Sequence, residues 1–146
     1  MGKKVLIVDD REDSRLVLKN FFGFFGKRDD IKIFMAETSE EAYNITLKEK
    51  PDLIFLDLQI ETDTSGFELA KKIRENLPNE NIKIWAVTAK TLKNYDESET
   101  IEEKCIKSGC DKYITKPLDQ KKLIIEVSKT LNIPIPEITK KRMEIN

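Results

Sequence analysis

Short apolar runs alternate with longer stretches of amphipathic spacing along this chain. The runs fall at 4–8, 31–36, 53–56, 82–87 and 113–114, with little of the in-and-out alternation of a half-solvated strand. Such runs suit strands buried on both faces, the environment of a parallel sheet covered by helices. Between them, the spacing predicts helices over 13–25, 39–49, 67–76, 98–108 and 120–131. Thr38-Ser39-Glu40-Glu41 fits a capping box at the start of the second, because a threonine oxygen and a carboxylate can satisfy orphan amides. Phe67, Ala70, Ile73 and Leu77 form one stripe of the third. Gly109 is a C-terminal stop for the fourth, and Asp119 an N-cap for the fifth. The alternation predicts an α/β fold, a doubly wound parallel sheet of five strands with five flanking helices and right-handed crossovers. After Leu131, Asn132-Ile-Pro-Ile-Pro136 stops any helix and the remainder is polar and charged. One domain over 1–131 and a C-terminal tail over 132–146 are expected.

Composition narrows the function classes. A chain of 146 residues with 39% hydrophobic content can bury one core. Its 26 basic and 27 acidic residues nearly cancel, so no chain-wide field recruits nucleic acid or an anionic membrane surface. No apolar run approaches a membrane span or a secretion signal. Cys105 and Cys110 make no disulfide framework, and a cytoplasmic protein is expected. They read most simply as small buried apolar residues. The chain has no histidine. Ser-His and Cys-His catalytic pairs are therefore excluded, and any phosphohistidine donor must be another molecule.

The chemistry-bearing residues fall where strands are predicted to end. Asp9 and Asp10 follow the first run, Asp57 the third, Thr88 the fourth and Lys116 the fifth. In open α/β sheets, ligands bind at the carboxyl ends of the strands, where strand order reverses. The fold would bring three carboxylates, a hydroxyl and an ammonium to one rim. Carboxylates crowded in a partly dry site either raise one another's pKa values or hold a hard cation, and magnesium suits oxygen ligands of this kind. A carboxylate facing such a cation and a lysine can act as a nucleophile on phosphorus. Each residue also has a plainer reading: acidic pairs are common in polar loops, β-branched Thr88 belongs at a strand end, and Tyr113 can be a half-buried packing aromatic.

Four segments, Val5-Leu-Ile-Val-Asp-Asp10, Leu53-Ile-Phe-Leu-Asp-Leu58, Ala86-Val-Thr-Ala89 and Tyr113-Ile-Thr-Lys-Pro117, together resemble the receiver domain of response regulators, the CheY-like family of two-component phosphorelays. The resemblance runs over about 3–131. It implies a flavodoxin-like fold and a signalling switch whose only catalysis is magnesium-dependent self-phosphorylation and autodephosphorylation. It implies Asp57 as phosphoacceptor, Asp10 as a direct magnesium ligand, Asp9 acting largely through water, and Gln59 offering its backbone carbonyl. Thr88 and Lys116 would meet the phosphoryl oxygens, and a cis peptide would join Lys116 to Pro117. Tyr113 would be the aromatic that turns inward when Thr88 moves. The implied partners are a sensor histidine kinase or histidine phosphotransfer protein, and a downstream protein at the face of the fourth helix, fifth strand and fifth helix. Neither nucleic acid nor membrane is expected to bind.

The chain departs from the family pattern in two places. After Asp57 it reads Gln59-Ile-Glu-Thr-Asp-Thr-Ser-Gly66, without the usual proline and about one residue longer, so a looser route to the third helix is expected. Between Thr88 and Lys116 the excess falls at 92–99, on the side that would carry the signal, which points to a remodelled partner surface. Phe21, Phe22, Phe24 and Phe25 cannot all share one helical stripe, so either a partner or the turn itself covers some of them. A phosphohydrolase working through an aspartyl phosphate is the enzyme alternative. Asp57-Leu58-Gln59 lacks the second acid that would protonate a leaving group.

Overall fold

The computed structural model describes residues 2–62, 64–89 and 100–146. Five strands, β1 (Lys3–Val8), β2 (Ile31–Ala36), β3 (Leu53–Asp57), β4 (Lys83–Thr88) and β5 (Lys112–Thr115), form one sheet. Their order is β2-β1-β3-β4-β5 and every pairing is parallel. The central strands separate two cores. Leu6, Val8, Ile54, Leu56, Ile84 and Ala86 face one side, while Val5, Ile7, Leu53, Phe55, Trp85 and Val87 face the other. The near-continuous apolar runs of β1, β3 and β4 are thus strands buried on both faces.

Helices α2 (Ser39–Glu49), α3 (Ser65–Asn76) and α4 (Ile101–Ser108) cover the first core, and α1 (Glu12–Phe21) and α5 (Gln120–Leu131) the second. The expected caps are present. Thr38 Oγ1 accepts from the Glu41 N–H at 3.1 Å, and Asp119 Oδ1 from the Lys122 N–H at 3.1 Å. Thr100 caps α4 by accepting from the Glu103 N–H at 3.0 Å. At its other end Gly109 takes φ 102°, which a side chain resists, and Cys110 N–H closes onto the Cys105 carbonyl at 2.9 Å.

Two expectations are corrected. The first helix does not run to residue 25: the α-helix stops at Phe21 and Phe22–Phe25 tighten into a 3-10 turn. Residues three apart then eclipse, which turns Phe22 and Phe25 together into the core. Phe22 meets Phe55 at 6.1 Å between ring centroids, and Phe55 meets Trp85 edge-on at 5.6 Å. The turn itself therefore buries most of the crowded phenylalanines. Residues 132–146 are also not a free tail, since they contain a sixth helix, α6 (Glu137–Met143). Ile133 is buried, and Ile135, Met143 and Ile145 pack on the second core beside Phe24. Buried Thr139 donates from Oγ1 to the Phe24 carbonyl at 2.5 Å, fixing α6 to the end of the aromatic turn. The charges visible in the sequence share the outer side of this helix with exposed Ile138, while Thr139 and Met143 face inward.

No helix among the described residues is long and apolar enough to cross a membrane.

Candidate functional site

The chain leaves β1 for α1 and β2 on one side, while β3 lies on the other, so strand order reverses between β1 and β3. The site is at the carboxyl end of this divide. One carboxylate oxygen from each of Asp9, Asp10 and Asp57 lies within 4.8 Å of the other two. Asp9 is only 2% exposed, Asp57 is half-buried and Asp10 faces solvent, which grades the site from dry to open.

Asp9 is the most tightly held of the three. Its Oδ1 accepts from the Arg11 N–H at 3.0 Å, and its Oδ2 from the Lys116 ammonium at 3.2 Å. Its backbone joins the sheet through the Ala36 carbonyl at 3.1 Å, while the Arg15 guanidinium donates to the Asp9 carbonyl at 2.8 Å. Arg15 has no sequence motif to mark it; only the folded helix brings it back over the strand end.

Asp57 ends β3 opposite Val87 of β4, and its Oδ1 accepts from the Gln59 N–H at 3.1 Å. Burial pushes its carboxyl up to about 6; the Gln59 amide opposes this, Asp9 and Asp10 add to it, and Lys116 offsets it. A half-dry carboxyl raised by two neighbouring carboxylates is a site short of positive charge. Three oxygen donors of this kind fit a hard divalent cation, so the residues present suit magnesium.

Thr88 is the last residue of β4 and is buried, paired across to Thr115. Its carbonyl accepts from the Lys116 N–H at 2.8 Å, which places Lys116 at the rim, and the Lys116–Pro117 peptide is cis. Tyr113, half-buried in β5 beside Ala86, packs on the first core. The excess segment at 92–99 lies outside the described residues.

In the connection from Asp57 to α3, of which residue 63 lies outside the described residues, the amides of residues 60–62 and the start of α3 are hydrogen-bonded. Buried Ser65 gathers those amides, and Gly66 N–H donates to the Leu58 carbonyl at 3.0 Å. A Cβ at Gly66 would fall 2.5 Å from Leu58 Cα and 2.6 Å from the Asp57 carbonyl oxygen, so only glycine lets α3 start this close to the strand. Outside, Glu61 carries the loop to α2 by accepting from the Ser39 N–H at 2.6 Å and Oγ at 2.7 Å.

The profile of the response regulator receiver domain matches residues 5–128. A phosphate regulon transcriptional regulatory protein, PhoB of Pseudomonas aeruginosa, is 31% identical over 131 residues, covering 90% of this chain and 52% of that protein. The chain thus spans about half the length of the curated relatives it matches. A two-component response regulator from Clostridium difficile superposes with a TM-score of 0.70 at 34% identity, covering 90% of this chain and 97% of that one. The receiver domain of Saccharomyces cerevisiae Ssk1, solved with the histidine phosphotransfer protein Ypd1, gives 0.72 at 28% identity, covering 93% and 94%.

Proposed function

The chain belongs to the response regulator receiver family, and on that premise we propose that it is a switch in which Asp57 accepts a phosphoryl group from a histidine kinase or a histidine phosphotransfer protein. The observation that carries this reading is the convergence of Asp9, Asp10 and Asp57 within 4.8 Å, with Lys116 beside them on Asp9. The structure solved with Ypd1 supports the donor class.

In the proposed step, an Asp57 oxygen attacks phosphorus, the O–P bond forms as the donor's N–P bond breaks, and the imidazole leaves with a proton. Magnesium, when bound, supplies the positive charge that lets three carboxylates and a phosphoryl group share the site. Asp10 and Asp57 would hold it directly with the Gln59 carbonyl, and Asp9 through water. Lys116 neutralises a phosphoryl oxygen, and the Thr88 hydroxyl donates to another. The chain contributes positioning and charge, with little turnover of its own.

The output would be a protein contact at the face of α4, β5 and α5, reached through Tyr113. A groove of about 550 Å³ lies there, lined by Glu102, Tyr113, Thr115, Lys122 and Glu126. The curated relatives are named as transcriptional regulators and are about twice as long; for the portion matched here we assign signal reception, without direct contact to nucleic acid or membrane. A switch that takes its phosphoryl group from a histidine kinase or a histidine phosphotransfer protein would work in the cytoplasm.

Acetyl phosphate with magnesium should add one phosphoryl group by intact mass, and Asp57→Asn, which keeps the shape and removes the nucleophile, should stay unlabelled. Labelling that survives this substitution would refute the assignment.

A further inference from the structure

In the receiver reading the loop between Asp57 and α3 offers the Gln59 carbonyl to the metal, and this loop has no proline. Its N–H groups instead converge on one side chain. Ser65 Oγ accepts from the Ile60 N–H at 3.0 Å and the Glu61 N–H at 3.2 Å, with a longer approach from Thr62 at 3.4 Å. It donates to the Thr62 carbonyl at 3.0 Å. A hydroxyl has one donor hydrogen and two lone pairs, so the two shorter bonds and the donated one use its full capacity. Ser65 is 5% exposed, which leaves water little access to replace these bonds.

We propose that Ser65 is the positioning residue of the phosphorylation site: its hydroxyl folds residues 60–62 into a fixed turn and thereby sets the Gln59 carbonyl for the metal. This rests on the receiver reading above, with magnesium at Asp10 and Asp57. Ser65 touches neither metal nor phosphoryl group and acts through the backbone. Two constraints make it the hub. The backbone at Gly66 lies close against Leu58 and its N–H donates to the Leu58 carbonyl at 3.0 Å, which holds the helix end of the loop. At the other end, the Gln59 N–H is already committed to Asp57 Oδ1. The segment between these fixed ends has its first three amides on Ser65. Removing the acceptor strands buried donors, among them Ile60 N–H, and the turn must open to find water.

The test compares native protein with Ser65→Ala, Ser65→Cys and Ser65→Thr. Cysteine keeps the volume but is a weak acceptor, whereas threonine keeps the hydroxyl. Amide exchange without metal should quicken at 60–62 by at least roughly tenfold in the alanine and cysteine variants, the equivalent of one lost buried bond. Magnesium titrations followed by thermal midpoint should need about 10- to 100-fold more metal in those two. The threonine variant should follow native in both. At saturating magnesium, acetyl phosphate labelling of all four should agree within about twofold, because the defect lies in presenting the carbonyl and not in Asp57 itself. If the alanine variant fails to fold, the cysteine variant carries the comparison. Native magnesium demand in both the alanine and cysteine variants would overturn the role of Ser65 while native labelling leaves the receiver reading intact. A native protein that neither responds to magnesium nor labels would instead remove the reading and this proposal together.

Discussion

The Lys116 ammonium lies 3.2 Å from Asp9 Oδ2, so the lysine proposed to meet the phosphoryl group is held by one of the three clustered carboxylates. Lys116 therefore has two jobs that pull apart. In the resting site it offsets carboxylate repulsion, and after phosphorylation it has a better partner in the phosphoryl oxygens. Lys116→Met keeps the length and removes the charge. Magnesium should bind this variant at least as well as native, because a competitor for the carboxylates is gone. Labelling by acetyl phosphate should fall by roughly 100- to 1000-fold, the usual effect of losing one positioned donor at a developing anion. Magnesium titration and labelling rates measured together check both halves; a variant that needs much more magnesium would show Lys116 to be part of the metal site's support instead.

The Asp57 carboxyl gives the metal-free protein a pH dependence opposite in sign to that of Asp13, Asp30 and Glu126, whose basic partners hold them low. Its pKa stands at about 6, raised chiefly by burial. Between the ordinary carboxylate value of about 4 and this one, the folded chain keeps a proton that the unfolded chain has released. The contribution of Asp57 to stability must fall as pH rises across that window and stay lower above it. Asp57→Asn cannot ionise and should be more stable than native by about 1–2 kcal/mol near neutral pH, after discounting for the half-exposed position. The difference should vanish near pH ~4. Urea denaturation in chelator across this range gives both curves, and magnesium should close the gap at neutral pH.

Residues beyond Leu131 belong to the folded body. Ile133 is 3% exposed, and Ser128 Oγ donates to its carbonyl at 2.5 Å, so the chain is held before α6 begins. Thr139→Val should cost about 1–2 kcal/mol by orphaning the Phe24 carbonyl, with Asp57 labelling unchanged. Ending the chain after Leu131 should cost more, because the Phe24 side of the core loses Ile133, Met143 and Ile145 as well. Equal urea midpoints for the full and shortened chains would restore the simple tail.

The sheet and the strand-end acids were legible because both depend on local signals: unbroken apolar runs, and polar residues that stop them. The edge strand β5 was readable only in part, since its four residues are all half-buried and their pattern is weak. Phe22–Phe25 misled because helical spacing assumes 3.6 residues per turn, and the chain changes period there. α6 escaped because one buried threonine and a few scattered apolar residues do not form a stripe. Arg15 and Ser65 were invisible for a different reason. Their importance is in which backbone groups they meet, and residue type alone does not carry that information.

Phosphorylation should be read out on the β5 side of the site. A phosphoryl group adds roughly 1.5 to 2 negative charges at Asp57 and new acceptor oxygens, which Lys116 and Thr88 are suited to meet. Thr88 is buried, so drawing its hydroxyl toward phosphate leaves space in a packed region. Tyr113 is half-buried one strand away, paired through Ala86 and packed on the core that holds Cys105 of α4. A ring in that place can fill the space only if its inward and outward states differ by a few kcal/mol, a gap that phosphate contacts can overcome. Inward movement would pull on β5, which is bonded to the sheet on one side alone, and on α4 beside it. Amide exchange should therefore change over 88–116 when beryllofluoride stands in for the phosphoryl group. α2, on the far side of α3, should change much less, and Tyr113→Ala should abolish the response in α4 while leaving Asp57 labelled. Exchange that changes only beside Asp57 would disprove the coupling and leave the phosphoacceptor standing.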